Sequence, residues 1–423
     1  MSRRGWGLLL ASAAGLGVAI GGSGLSGQQP EPWGVLDEHP AIQYATRPTT
    51  DRVATLKRTL AQSGRRLPRD PRTGYLLGVL DALGVPKASQ LLVFSKTGVQ
   101  REFTGPRNPR AIYFDQSVAV GYVPGAPLIE IAAHDPQQGV VFYTLDQTAA
   151  ASVITRGRSC LTCHVSATTL EVPGMIARSN TIAEDGNVVP QTGSQNVNHQ
   201  TPHPDRWGGW FVTSEDAAPP YAQMAHRGNI TFSGRGNTSN QVFVDWLNSS
   251  PETLGYVSSS SDIVALLLFD HQMHAINLLT RLNWESRVAG TNGDAGALNS
   301  TVRRLANELA DYLLFADEAP PLAPLTPPPA FAANLEARTP TDRRGRSFGQ
   351  LDMVNRTLRY PCSYMVYSDA FDGLPMTVKD AVYRRMLDIL SSEQPAARTH
   401  LTVADRRAIL EILRDTKPDF PHD

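Results

Sequence analysis

The pattern of apolar and polar positions changes character several times along the chain, and the changes divide it into regions. Residues 1–26 carry Arg3 and Arg4, an apolar run over 8–20, and then small residues through Gly24-Leu25-Ser26. That order predicts a secretory signal peptide. Residues 27–85 read as a Pro-rich arm followed by a small helical lead-in. Val53, Leu56 and Leu60 fall at helical spacing over 51–62, a second apolar cluster covers 74–83, and a charged loop at 65–72 separates them. From Ser89 the period shortens. Leu91-Leu92-Val93-Phe94, Ala111-Ile112-Tyr113-Phe114, Val118-Ala119-Val120-Gly121-Tyr122, Leu128-Ile129-Glu130-Ile131 and Val140-Val141-Phe142-Tyr143 are short β-branched and aromatic runs. Turn residues separate them, which predicts about five consecutive antiparallel strands. A hairpin turning at Asp185-Gly186 and a strand over 206–212 extend this β-rich region across 86–235, and the glycine pair Gly208-Gly209 marks close approach of a neighbouring backbone or of a porphyrin edge.

The remainder has a helical period. Ser261-Asp262 caps a run over 263–287, and Val302, Leu305, Leu309 and Leu313 line one face of a helix over 301–316, giving a helical region at 236–318. The Pro-rich tract 319–330 predicts a stiff linker. In 331–423, Thr377 with Asp380 and Thr402 with Asp405 have capping-box spacing ahead of helices over 378–391 and 403–414. Strands first and helices after make the chain α+β, with an antiparallel β-rich N-terminal half and a helical C-terminal half.

With 39 basic and 40 acidic residues among 423, the chain offers neither a nucleic acid nor an anionic membrane a strongly basic surface. Membrane association is expected only where the signal stays uncleaved. Three cysteines in an exported protein of this length do not make a disulfide-stapled fold. Cys362, standing alone, reads as a small buried core residue.

The other two cysteines define the candidate chemistry. Cys160-Leu161-Thr162-Cys163-His164 has the spacing C-x-x-C-H, in which two thiols add to the vinyl groups of haem and the adjacent imidazole meets the iron. A zinc site would want a second cysteine pair, and only Cys362 remains. A thioredoxin-like dithiol would open a helix after a buried strand, whereas Arg156-Gly157-Arg158-Ser159 precedes this pair and Ser166-Ala167-Thr168-Thr169 follows it. One covalent haem c is therefore expected, with His164 as proximal iron ligand, in the periplasm, where the signal peptide and the attachment chemistry coincide.

The sixth iron position decides what such a haem does. Met175, after a Pro-Gly turn, and His226 and His199, in polar loops, are candidate distal ligands, and each has an ordinary structural alternative. His271 is another candidate. With Asp270 and His274 it forms a polar side on an otherwise apolar helix, where the partners are haem propionates, Arg281, a second metal or a plain buried hydrogen-bond network.

At residues 160–164 the chain resembles a c-type cytochrome. Pro109-Arg110-Ala111-Ile112-Tyr113-Phe114, Arg206-Trp207-Gly208-Gly209-Trp210 and Arg359-Tyr360-Pro361-Cys362-Ser363-Tyr364 resemble a family of uncharacterised exported bacterial cytochrome c domain proteins. Members of that family tend to carry Met where this chain has Arg227. The resemblance implies haem and export and supplies no substrate. One-electron transfer with a periplasmic redox partner protein is the expected activity. The alternatives are a haem enzyme, peroxidase-like or a small-molecule oxidoreductase, with an open distal position, and a haem-containing sensor or subunit of a larger redox assembly.

Overall fold

A computed structural model describes residues 38–150, 152–213, 254–291, 298–392 and 398–422. The expected signal peptide and the loop carrying His226 lie outside the described residues.

Two short helices lead in. Helix α1 (Arg52–Ser63) starts where Asp51 Oδ1 accepts the amide hydrogens of Val53 and Ala54 at 2.9 and 3.0 Å, and α2 is Leu76–Leu83. Strands β1 (Leu91–Val93), β2 (Arg110–Phe114), β3 (Val118–Tyr122), β4 (Leu128–Asp135), β5 (Gly139–Asp146) and β6 (Ile154–Arg156) form an antiparallel meander. A single helical turn, α3 (Leu161–His164), follows. Strands β7 (Arg178–Asn180) and β8 (Ser194–Asn196) make a small second sheet, and β9 (Trp210–Phe211) returns to pair with β1. The main sheet thus has seven strands in the order β6-β5-β4-β3-β2-β1-β9. Helices follow: α4 (Ile263–Thr291), α5 (Ser300–Leu313), α6 (Pro329–Ala337), the turn α7 (Asp369–Asp372), α8 (Met376–Leu390) and α9 (Val403–Thr416). The fold is α+β, as the strand-then-helix order of the sequence predicts.

Directly paired residues share a face of the sheet, so the register sorts side chains into two cores. Tyr113, Val120, Ile131 and Tyr143 face one way and pack with Val53, Leu76, Val79 and Leu80 of the lead-in helices. Phe114, Ala119, Ala132 and Phe142 face the other way and pack against α4 and the C-terminal helices. Because both faces are covered, the strands read as near-continuous apolar runs. Helix α4 is long and apolar enough, by length and composition, to cross a membrane, and most of its side chains up to Trp284 are buried within this body.

Two expectations are corrected, the strand over 206–212 and the cap at Thr377, and two are made specific. The segment 206–212 is strand only at its last residues: Trp207 and Gly209 have φ of +66° and +91°, and the chain turns there before β9. A Cβ on Gly208 would meet the Asn180 carbonyl oxygen at 2.3 Å, so the glycine pair marks approach of a neighbouring backbone. The Pro-rich tract is stitched to the body, since Ala319 N–H donates to His199 O at 2.9 Å and Leu325 N–H to Met353 O at 3.0 Å. Thr377 is no cap, because α8 begins one residue earlier, after Pro375, whose fixed φ suits a helix entry. The capping box at Thr402 and Asp405 does form.

Gly208→Ala is expected to lower the urea midpoint by the equivalent of about 1–3 kcal/mol through overpacking. Gly290→Ala, in α4 with nothing within 4 Å of the added carbon, is expected to be neutral or to stabilise by up to about 1 kcal/mol. Equal midpoints for the two variants would contradict the packing described.

Candidate functional site

The C-x-x-C-H segment begins at the edge of the sheet. Gly157 N–H donates to Phe142 O at 2.8 Å, which extends the β5–β6 pairing by one residue, and the chain then leaves the sheet. It coils at once: Cys163 N–H and His164 N–H both donate to Cys160 O, at 3.2 and 3.0 Å. One helical turn sets residues three apart side by side, so this coiling brings the two thiols onto one side of α3. Both cysteines are free thiols, Cys160 half-buried and Cys163 exposed, while Leu161 packs against the apolar cores.

His164 is held from behind. Its Nδ1 lies 2.8 Å from Gly174 O. A carbonyl only accepts, so Nδ1 carries the proton and Nε2 presents a lone pair, to which no group among the described residues is bonded. Gly174 N–H in turn donates to His164 O at 3.0 Å, and Thr169 Oγ1 donates to the same oxygen at 3.2 Å. The Gly174-Met175 segment is clamped by Asn277 of α4, whose Oδ1 accepts from Met175 N–H and whose Nδ2 donates to Met175 O, both at 2.8 Å. A Cβ on Gly174 would meet Asn277 Oδ1 at 2.3 Å, so glycine is required for this approach. The Phe142 ring lies 4.6 Å from the imidazole centroid. Burial pushes the His164 pKa below the usual imidazole range, which keeps the ring neutral at neutral pH.

In front of the motif the sheet is only partly covered. Ile112, Gly121, Glu130 and Thr144 stand opposite one another across β2 to β5 and are half-buried, beside the covered row of Phe114, Ala119 and Phe142. Gly121, which has no side chain, keeps this strip low. Arg110 donates to Glu130 Oε2 at 3.1 Å, across Gly121. Arg110 Nε and Glu130 Oε1 are buried atoms with no hydrogen-bond partner.

The rival chemistries of the cysteine pair find no support in this geometry. A redox dithiol wants a depressed thiol pKa, and burial raises that of Cys160. Among the described residues no group of three or more His, Cys, Asp or Glu is placed to hold a metal ion, so the pair lacks a zinc set.

The distal candidates fare differently. Met175 belongs to the segment bonded to Nδ1. Its side chain lines a small cleft with Met273, Ile276, Ala132 and His134. His199 and His271 bond each other, Nδ1 to Nδ1 at 2.7 Å. The other nitrogen of His271 bonds Ser363 Oγ at 2.7 Å, and that of His199 lies 3.2 Å from Ala316 O. Both rings are fully buried among Tyr312 and Phe315, with no nitrogen left for iron. His226 lies outside the described residues. Arg281 bonds Leu170 O and Glu285 rather than His274, whose ring instead lies 4.9 Å from that of Tyr312. Trp207 Nε1 donates to Asp270 at 3.2 Å, and burial raises that carboxyl to about 7. The polar side of α4 is thus a buried hydrogen-bond network.

Sequence reading missed Asn277 and the Arg110–Glu130 pair. A polar residue in an apolar helix signals the first; the second depends on strand register, which a single sequence does not display. Comparison with family models, curated proteins and solved structures returned no match.

The buried imidazoles make a pH prediction. Burial lowers His134, His203 and His274 to about 4 and His271 to about 3, and it lowers His199 well below the usual value. Between pH 6.5 and 4 the unfolded chain therefore binds more protons than the folded one, and stability falls as pH falls. Asp270, raised to about 7, opposes this with one proton. A net uptake of about two to four protons on unfolding near pH 5 is expected, each worth about 1.4 kcal/mol per pH unit. Urea midpoints unchanged between pH 7 and 5 would contradict it.

Proposed function

We propose that the chain is an exported c-type haem protein in which Cys160 and Cys163 hold one haem covalently and His164 Nε2 binds its iron, serving one-electron transfer. The observation that carries this is the single turn α3, which sets two free thiols side by side and next to them an imidazole whose Nδ1 is tied to Gly174 and whose Nε2 is free. Export, supported by Arg3, Arg4 and the apolar run that follows, would take the chain to the periplasm, where the haem meets the thiols.

The residues present fit the group. Cys163 is exposed and Cys160 half-buried, and the half-buried strip of Ile112, Gly121 and Thr144 lies on the sheet face that carries Phe142, flanked by polar atoms of Arg110 and Glu130 that have no partner. A bound haem supplies a one-electron couple whose potential follows the axial ligands, nearby hydrogen bonds and burial. The chain's part is orientation. Gly174 O fixes the tautomer of His164 and raises the basicity of Nε2, and Asn277 holds the peptide that carries this carbonyl. Phe142 limits tilting of the imidazole. Exposed Cys163 marks the edge at which a periplasmic redox partner would dock.

Replacing Cys160 and Cys163 with Ala is expected to abolish haem that survives denaturation and extraction, and retention would sink the attachment. Asn277→Leu is expected to keep covalent haem while destabilising the fold by about 1–3 kcal/mol, because two backbone groups of Met175 lose their partner; a midpoint equal to wild type would contradict the clamp. Absorption spectra of oxidised and reduced protein, with and without cyanide or carbon monoxide, test the activity. A low-spin spectrum indifferent to ligand is expected of a carrier, and a high-spin spectrum that shifts on ligand addition would favour the enzyme.

A further inference from the structure

Several charged pairs of this protein are partly buried, Arg281 with Glu285 and Arg346 with Asp342 among them. Arg110 and Glu130 stand out by their place on the sheet. Their side chains are 18% and 22% exposed, they lie on the partly open strip of the sheet, and each keeps a buried polar atom without a partner, Arg110 Nε and Glu130 Oε1. Leaving two such atoms unsatisfied is costly in a finished protein and is expected where another group completes the site. The pair closes over Gly121, where a Cβ would make ordinary contact, 3.5 Å from Glu130 Oε2 and 3.6 Å from Arg110 Cδ. It stands close to the motif: Glu130 is opposite Thr144, which shares a sheet face with Phe142 two residues earlier in β5, and the Phe142 ring lies 4.6 Å from the His164 imidazole.

We propose that Arg110 and Glu130 are positioning residues that face the haem on its sheet side, the Arg110 guanidinium pairing with a propionate carboxylate and the two charges together setting the reduction potential. This rests on the haem reading above. Arginine suits the first task because its planar fork of donors matches a carboxylate, and Glu130 occupies only part of it. The second follows from charge balance. Oxidised iron carries one more positive charge than reduced iron, so a nearby cation favours the reduced form and a nearby anion the oxidised form, most strongly in a partly buried setting.

The test is a set of redox titrations on the full-length, haem-loaded protein, after covalent haem has been measured on denatured samples. Glu130→Gln is expected to raise the potential, so that at a fixed poise the ratio of reduced to oxidised haem rises severalfold. Arg110→Gln is expected to lower that ratio severalfold, and Arg110→Lys, which keeps the charge, to stay near wild type. Should the Gln variants fail to accumulate, Thr144→Lys decides. Thr144 stands opposite Glu130 and is half-buried, so an added cation there is expected to raise the potential. A haem-loaded wild type whose variants keep its potential overturns this proposal alone. A wild type without covalent haem removes the haem reading, and this proposal with it.

Discussion

Burial of the long helix Ile263–Thr291 between the sheet and the C-terminal helices is the constraint on which the rest depends. Such a helix could slide or rotate against an apolar sheet at little cost if all its side chains were aliphatic. Its buried polar residues prevent that, because each must find a partner when removed from water. Asp270 meets Trp207, His271 meets His199 and Ser363, and Gln272 meets Asp115 O and Tyr364. Further along, Asn277 meets Met175, Thr280 meets His134, and Asn283 meets Pro136 O and Gly373 O. These bonds tie strands, the segment after the motif and the C-terminal part to a single helix register.

The site inherits its geometry from that register. Asn277 fixes Gly174 and Met175, and Gly174 fixes His164, so the imidazole is set by a helix a hundred residues further along the chain. A functional side chain held on rigid elements in this way has little freedom to reorient. The same packing covers one row of the sheet face with α4 and leaves the Gly121 row partly open.

Much of this was legible in the sequence where the signal is local. The β-branched runs marked five of the seven strands, Asp262 and Thr402 capped the helices expected after them, and Cys362 proved a buried core residue. The misses share a cause in long-range contact. β9 is only Trp210 and Phe211, and it is a strand because β1, far earlier in the chain, pairs with it. The Gly208-Gly209 pair reports a neighbouring backbone that no local pattern names. His271 looked available as a ligand because its partners, His199 and Ser363, come from distant segments.

The central claim is a covalent bond between this chain and haem, and mass is its most direct measure. The protein should be produced with its own N-terminus in a host that matures c-type cytochromes, and its intact mass and peptide map measured after denaturation. The account predicts one haem per chain, carried on the peptide that contains Cys160 and Cys163. A polypeptide of unmodified mass with both thiols free to alkylation, from a host that loads a control cytochrome, would contradict it.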